Sequence, residues 1–228
     1  MSRLDDAIYA LRSGKFIMIH DDESREDEVD LVMAAQYVRP RSVAEIRIMA
    51  GGMICLAISN ETARVLGLMY MHEMLRRIST NNFTLSKMIF GIAPYGDRPS
   101  SSISINHIDT YTGITDADRA LTINEMAKLC AEMNNDSRDQ FVRYFRTPGH
   151  VPLLIAAKGL IQERTGHTEM AVYLMKLANL VPSVMICEML DSETFRALNI
   201  RKAKEVSIKQ DIPILQANEI KQYNGLKR

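Results

Sequence analysis

Apolar runs too brief to be helices recur along this chain, separated by segments whose apolar residues repeat at helical spacing, and that alternation admits few folds. Met53-Ile54-Cys55-Leu56-Ala57-Ile58 contains no strongly polar side chain, and Leu153 to Ala157 and Val184 to Met189 repeat the theme. Strands buried on both faces read this way, whereas Ser102 to His107 alternates polar and apolar residues as a strand with one covered face does. Leu4, Ala7, Ile8 and Leu11 mark a first helix between Ser2 and Gly14 that leads into a strand over Lys15 to His20. Ser42 and Glu45, at capping-box spacing, predict a helix ending at Gly51-Gly52, and Thr122 with Glu125 predicts another running to about Met133.

A short helix is expected from about Asn60 to Leu66, and a longer one from Thr168 to Leu180 with Met170, Leu174, Leu177 and Ala178 inward. The tail predicts a helix from about Ser192, a strand near Ile212 to Leu215 and a last helix over Asn218 to Tyr223. Between Arg76 and Ser102 the periodicity weakens: Pro94, Gly96, Pro99 and three consecutive serines mark a loop, in which Asn82 to Ser86 has strand character. The expectation is an α+β fold, α/β-like in its three layers, with a mixed β-sheet flanked by helices in one domain over residues 1–228.

Lys plus Arg and Asp plus Glu balance at 28 each, which removes the broad positive field that nucleic-acid binders use. No run approaches the roughly 20 apolar residues of a membrane span, and the charged start, Met1 to Asp6, lacks the apolar stretch of a signal peptide. Cys55, Cys130 and Cys187 are odd in number and far apart, suggesting neither a disulfide framework nor a thiolate zinc site; a reducing cytoplasm suits them.

Residues 21 to 32 place seven carboxylates and one arginine between a strand and an apolar run. Hard cations such as Mg²⁺ take oxygen ligands of this kind, and crowded carboxylates are poised for proton transfer unless a cation neutralises them. A solvated acidic turn explains the same composition. Arg164-Thr165-Gly166-His167-Thr168-Glu169 lies where a loop becomes a helix, so free N–H groups favour an anion there, with Arg164 and Thr168 as donors and His167 left to ligate a metal or move a proton. Plain helix capping by Thr165 or Thr168 is the simpler account. His150, after Pro148-Gly149, is aimed by an unusual backbone path. Glu188 interrupts an apolar strand at a cost that pairing, metal binding or chemistry would offset. Thr112 to Arg119 mixes glycine and hydroxyls, as a phosphate-facing loop or an ordinary turn does. His20, His72 and His107 have no partner that sequence identifies.

Five segments in one order resemble the 3,4-dihydroxy-2-butanone 4-phosphate synthase family: the acidic loop, Gly52-Met53-Ile54-Cys55, Thr112 to Ile123, Pro148-Gly149-His150-Val151, and Arg164 to Glu169 with Ile186-Cys187-Glu188. The resemblance implies a Mg²⁺- or Mn²⁺-dependent lyase that converts D-ribulose 5-phosphate into L-3,4-dihydroxy-2-butanone 4-phosphate and formate for riboflavin biosynthesis. It also implies a cytoplasmic homodimer with sites near the subunit interface, in the form without a fused GTP cyclohydrolase II region. Glu26 and His167 match metal ligands. Arg25, Asp30, Thr112, Arg164, Thr168 and Glu188 match substrate-binding positions, and Asp21, Glu28, His150 and Glu188 are the candidates for acid and base work. Family members commonly carry Gly at Val29, Asn or Gly at Asp27, and Phe-Pro-Leu where this chain has Pro152-Leu153-Leu154; Met71 to Asp97 matches weakly.

Overall fold

The computed structural model describes residues 2–89 and 91–223. Helix α1, Arg3–Arg12, starts at Ser2, whose hydroxyl accepts from the Asp5 N–H while the Asp5 carboxylate accepts from the Ser2 N–H. Strands β1, Ile17–His20, and β2, Val29–Ala34, follow and pair antiparallel across the acidic loop. Next come α2, Pro40–Met49; β3, Cys55–Ile58; α3, Asn60–Leu66; α4, Met71–Ile78; and α5, Phe83–Met88. Strand β4, Ser101–His107, leads to α6, Asp116–Ala131, α7, Ser137–Tyr144, and the long β5, Phe145–Ile155. The chain ends with α8, His167–Leu177; β6, Ser183–Glu188; the small hairpin β7, Leu190–Asp191, and β8, Arg196–Ala197; α9, Ile200–Gln210; β9, Ile214–Gln216; and α10, Ala217–Lys221.

Seven strands form one mixed sheet in the order β4-β5-β3-β6-β2-β1-β9. Two apolar clusters show why the runs are continuous. Leu31, Met33, Leu56, Ile58, Met185 and Cys187 pack against α2, α3, α6 and α9 on one face. Val32, Ala34, Cys55, Ala57, Val184 and Ile186 pack against α1, α8 and α10 on the other. Successive strand residues point to opposite faces, so a strand covered twice must be apolar at every position. The expected three layers are therefore present.

Four local expectations are corrected. Helix α2 starts at Pro40, which is pre-set for a first helical position; Ser42 sits inside the first turn, its Oγ accepting from the Arg39 N–H at 3.3 Å. Residues 83 to 88 are helical, with the Asn82 side chain accepting from Leu85 N–H at 2.9 Å, so the strand reading of Asn82 to Ser86 fails. Helix α6 begins at Asp116 behind Thr115, and Thr122 is buried mid-helix, its hydroxyl accepting from the His107 N–H at 2.9 Å and donating to Asp118 O at 3.0 Å. The helix expected from Ser192 is the β7–β8 hairpin; α9 waits for Asn199, whose side chain caps Lys202 N–H.

Candidate active site

Register places the first pair of polar groups. Asp30 on β2 stands directly opposite Glu188 on β6. Their neighbours Val32 and Ile186 belong to the α8 face, so both carboxylates project there, at the strand ends where α8 begins. Like charges directly opposite one another are unfavourable. Glu188 is held by the Met53 N–H, 2.9 Å from Oε2, an approach that requires Gly52: a Cβ there would lie 2.6 Å from the Glu188 carbonyl oxygen and from Oε2. Asp30 is buried and its Oδ1 has no hydrogen-bond partner.

The acidic loop folds onto these residues around Asp21, which is buried and takes three loop donors: Arg25 Nη1 at 2.8 Å and the N–H groups of Glu26 and Glu28 at 3.1 and 3.0 Å. Asp27 adopts a φ of +54°, the left-handed region that explains why Asn or Gly suits this position, and its Oδ1 pairs with His20 Nε2 at 3.0 Å. Val29 already stands in β2, paired with His20, and needs no such freedom. The loop thereby delivers Glu26 to His167, the first residue of α8: Oε2 lies 3.2 Å from Nδ1, although 141 positions separate the two in sequence. His167 Nε2 lies 3.1 Å from the Glu28 carbonyl, a contact that makes Nε2 the donor and leaves Nδ1 facing Glu26.

Arg164 closes the far side, its Nη1 donating to Ser100 Oγ at 3.0 Å and to Glu169. Gly166 at the α8 cap makes room for that pair, since a Cβ would collide with the Arg164 guanidinium and lie 2.8 Å from Glu169 Oε2. Neither Thr165 nor Thr168 caps the helix by side chain. The result is a pocket of about 320 Å³ between Arg25, Glu26, Glu28 and Asp30 on one side and Ser100, Arg164, His167, Thr168 and Glu188 on the other. A larger groove, about 710 Å³, lies between α1 and α9 and holds no comparable gathering of histidine and carboxylates.

Electrostatics follow from this crowding. Burial pushes Asp30 up, and the Glu188, Glu26 and Glu28 charges add to it against the pull of His167, so its carboxyl sits at about 7. Burial also raises Glu28. Burial would raise Glu26 as well, but the hydrogen bond from His167 and the Arg25 charge outweigh it and hold that carboxyl at about 2. For His167, burial opposes the proton, while Asp30, Glu26 and Asp21 together lift it to about 9. The donor atoms of Asp21, Glu26 and His167 lie within 4.8 Å of one another, the only such metal-competent group among the described residues. Oxygen and imidazole donors suit a divalent cation, and the unpartnered Asp30 oxygen beside them is the kind of group that such a charge would satisfy.

Two expected residues lie elsewhere. Thr112 is on an exposed loop, its hydroxyl 3.4 Å from Asp118 Oδ2, and His150 is exposed on β5. Asn106 accepts from the His150 N–H at 2.8 Å and packs against Gly113, the residue that follows Thr112. Within one chain the structure brings together Asp21, Arg25, Glu26, Glu28, Asp30, Arg164, His167, Thr168 and Glu188, but neither Thr112 nor His150 lines the pocket. Residues that sequence did not single out are Ser100, whose hydroxyl accepts from Arg164, and Tyr95 and Asp97, which both meet Arg25; His20 gains Asp27 as its partner.

The family model of 3,4-dihydroxy-2-butanone 4-phosphate synthase matches residues 5–223. The chain belongs to that family. The synthase of Archaeoglobus fulgidus is 41% identical over 96% of this chain and 92% of its own length. Among solved structures, the synthase of Candida albicans superposes with a TM-score of 0.76 at 30% identity, covering 98% of this chain and 97% of that one. Another synthase, solved in complex with two magnesium ions, gives a TM-score of 0.76 at 26% identity over 96% of this chain and 95% of that one. Family membership places the chain in riboflavin biosynthesis, at the formation of its four-carbon precursor.

Proposed function

We propose that the chain, acting as a single synthase domain over residues 1–228, is a lyase that converts D-ribulose 5-phosphate into L-3,4-dihydroxy-2-butanone 4-phosphate and formate. The observation that carries this reading is the meeting of Glu26 and His167 beside three further carboxylates in one pocket. Glu26 Oε2 and His167 Nδ1 would hold Mg²⁺ or Mn²⁺, with Glu28 fixing the imidazole from behind. When bound, the cation draws electron density from the ketose carbonyl and makes the adjacent C–H proton easier to remove.

The remaining work falls to side chains. Arg164, Thr168 and the first-turn N–H groups of α8 bind the phosphate, and Arg25 and Asp30 orient the sugar hydroxyls. Asp30, which burial and the neighbouring carboxylates push toward the protonated form and a bound cation would push back, can both take and return a proton. Glu28 and Glu188 flank the same space and supply the further proton transfers that dehydration, carbon migration and loss of formate require. Asp21 keeps the loop in shape for all of them.

Thr112 and His150 enter through a second subunit. Both are exposed in the single chain, near the outward side chains of Tyr111, Ile114 and Ile108, which are 98%, 52% and 37% exposed. A homodimer covering that surface would carry the Asn106 group of one protomer toward the pocket of the other. The protein works in the cytoplasm, on a small phosphorylated sugar, with no nucleic-acid or membrane partner; among the described residues no helix is long and apolar enough to cross a membrane. The test is direct: purified protein with ribulose 5-phosphate and Mg²⁺ should release formate, and release that persists fully in excess chelator would overturn the metal-dependent reading.

A further inference from the structure

Both pocket arginines already have counter-ions. Arg25 Nη1 lies 2.8 Å from Asp21 and 2.9 Å from Glu26, and Arg164 Nη1 is paired with Glu169. A fourth carboxylate nonetheless stands between them: Asp97 Oδ2 accepts from Arg25 Nε at 2.8 Å and lies 3.3 Å from Arg164 Nε, which has no hydrogen-bond partner among the described residues. It arrives on a turn in which the Ala93 N–H donates to Asp97 O and the Gly96 N–H donates to Ala93 O, each at 2.8 Å. The same turn lays the Tyr95 ring 5.0 Å from the Arg25 guanidinium carbon, on the pocket wall that also carries Glu26. Preceding it, α4 and α5 bury no side chain. Apart from Ala93, which is buried, the turn is held chiefly by Tyr95 and Asp97.

We propose that Asp97 sets the affinity for substrate by competing for the two arginines: its carboxylate holds Arg25 and Arg164 until the substrate's phosphate takes Arg164 and its hydroxyls take Arg25. This rests on the assignment of the two arginines to substrate binding. With Asp97 in place, the pair faces four carboxylates, and a phosphate dianion added beside them meets like charge in a partly buried site. The exchange is favourable because phosphate offers three strong acceptor oxygens and more charge where Asp97 offers one oxygen, and because guanidinium groups bind phosphate in a fork. Release of Asp97 also frees the turn that carries Tyr95, so the arrival of the substrate loosens the cover over Arg25.

The experiment compares wild type with Asp97→Asn, which keeps the shape and removes the charge, using calorimetric titration of inorganic phosphate in the presence of Mg²⁺ and steady-state kinetics with ribulose 5-phosphate. The variant should bind phosphate about five- to tenfold more tightly and show a KM lower by a similar factor, with a smaller change in kcat. Weaker phosphate binding with a raised KM would overturn the proposal by showing that Asp97 aligns the arginines for the substrate, and unchanged values would show that it does not compete for them. Thermal melting checks the fold, and Asp97→Ser carries the same expectations if the asparagine variant does not fold. Arg164→Ala separates the two levels: loss of phosphate binding supports the assignment of Arg164 to the phosphate, whereas full retention would sink that assignment itself and the competition with it.

Discussion

Two polar groups sit on the same sheet in opposite states. The Glu26–His167 group is closed over: His167 is 6% exposed, Asp30 is 4% exposed, and its proton affinities are displaced in both directions. In the Asn106 group Thr112 and His150 are exposed and Asn106 is half-buried, and the histidine ring is tied to a neutral amide. A group that is buried, charged and over-supplied with carboxylates is built for something to bind within it. An exposed one that is proposed to be functional would be used by something outside it. On the homodimer reading proposed above, one chain carries a nearly complete site and a piece that would complete another.

The largest effect should come from breaking the closed group. Glu26→Ala or His167→Ala should each lower formate release by about 10³-fold or more while the protein still melts cooperatively, as measured by formate assay and calorimetry. Next, mixing His167→Ala with His150→Ala protein after subunit exchange tests whether the two groups meet across an interface. Random pairing gives half mixed dimers, each with one intact site, so activity should return to about a quarter of wild type. No recovery would place His150 in the site of its own chain, and an active His150→Ala protein before mixing would place it outside the chemistry.

A subtler effect concerns protons. Asp30 is raised from 3.8 to about 7 in the metal-free fold, so its contribution to stability is fully present below pH 3.8 and is lost as pH rises through 7. Metal-free wild type should lose stability over that window, Asp30→Asn should lose less, and Mg²⁺ should restore the wild type because a nearby cation favours the ionised form. Thermal melting as a function of pH decides this. The smallest effect belongs to the exposed group: Thr112→Val should change stability by no more than about 0.5 kcal/mol in chemical denaturation, whatever it does to turnover.

What could be read from sequence divides along similar lines. Strands buried on both faces announced themselves because burial leaves no room for polar residues, and Glu188 stood out for the same reason. Ser2 capped the helix that it was expected to cap, whereas Ser42 and Thr122 did not, because the Ser/Thr-x-x-Glu spacing also arises within helices, where the hydroxyl turns to backbone groups. Helices α4 and α5 escaped notice for different reasons: Met71, Met74, Leu75 and Ile78 do recur at helical spacing in α4, but no cap residue or buried face marks that stretch, and α5 is too short to show a period. The joining of Glu26 to His167 across 141 residues follows from β2 and α8 meeting at one end of the sheet, which no local pattern encodes; the family resemblance supplied it. Asp97 had neither signal, since its partners are fixed by a turn without periodicity.

The account depends most on Glu26 and His167 forming a cation site. Calorimetric titration of chelator-treated protein with Mn²⁺ tests this directly: wild type should show saturable binding that weakens by at least about 100-fold in both Glu26→Gln and His167→Asn. Undiminished Mn²⁺ binding in either variant would contradict it.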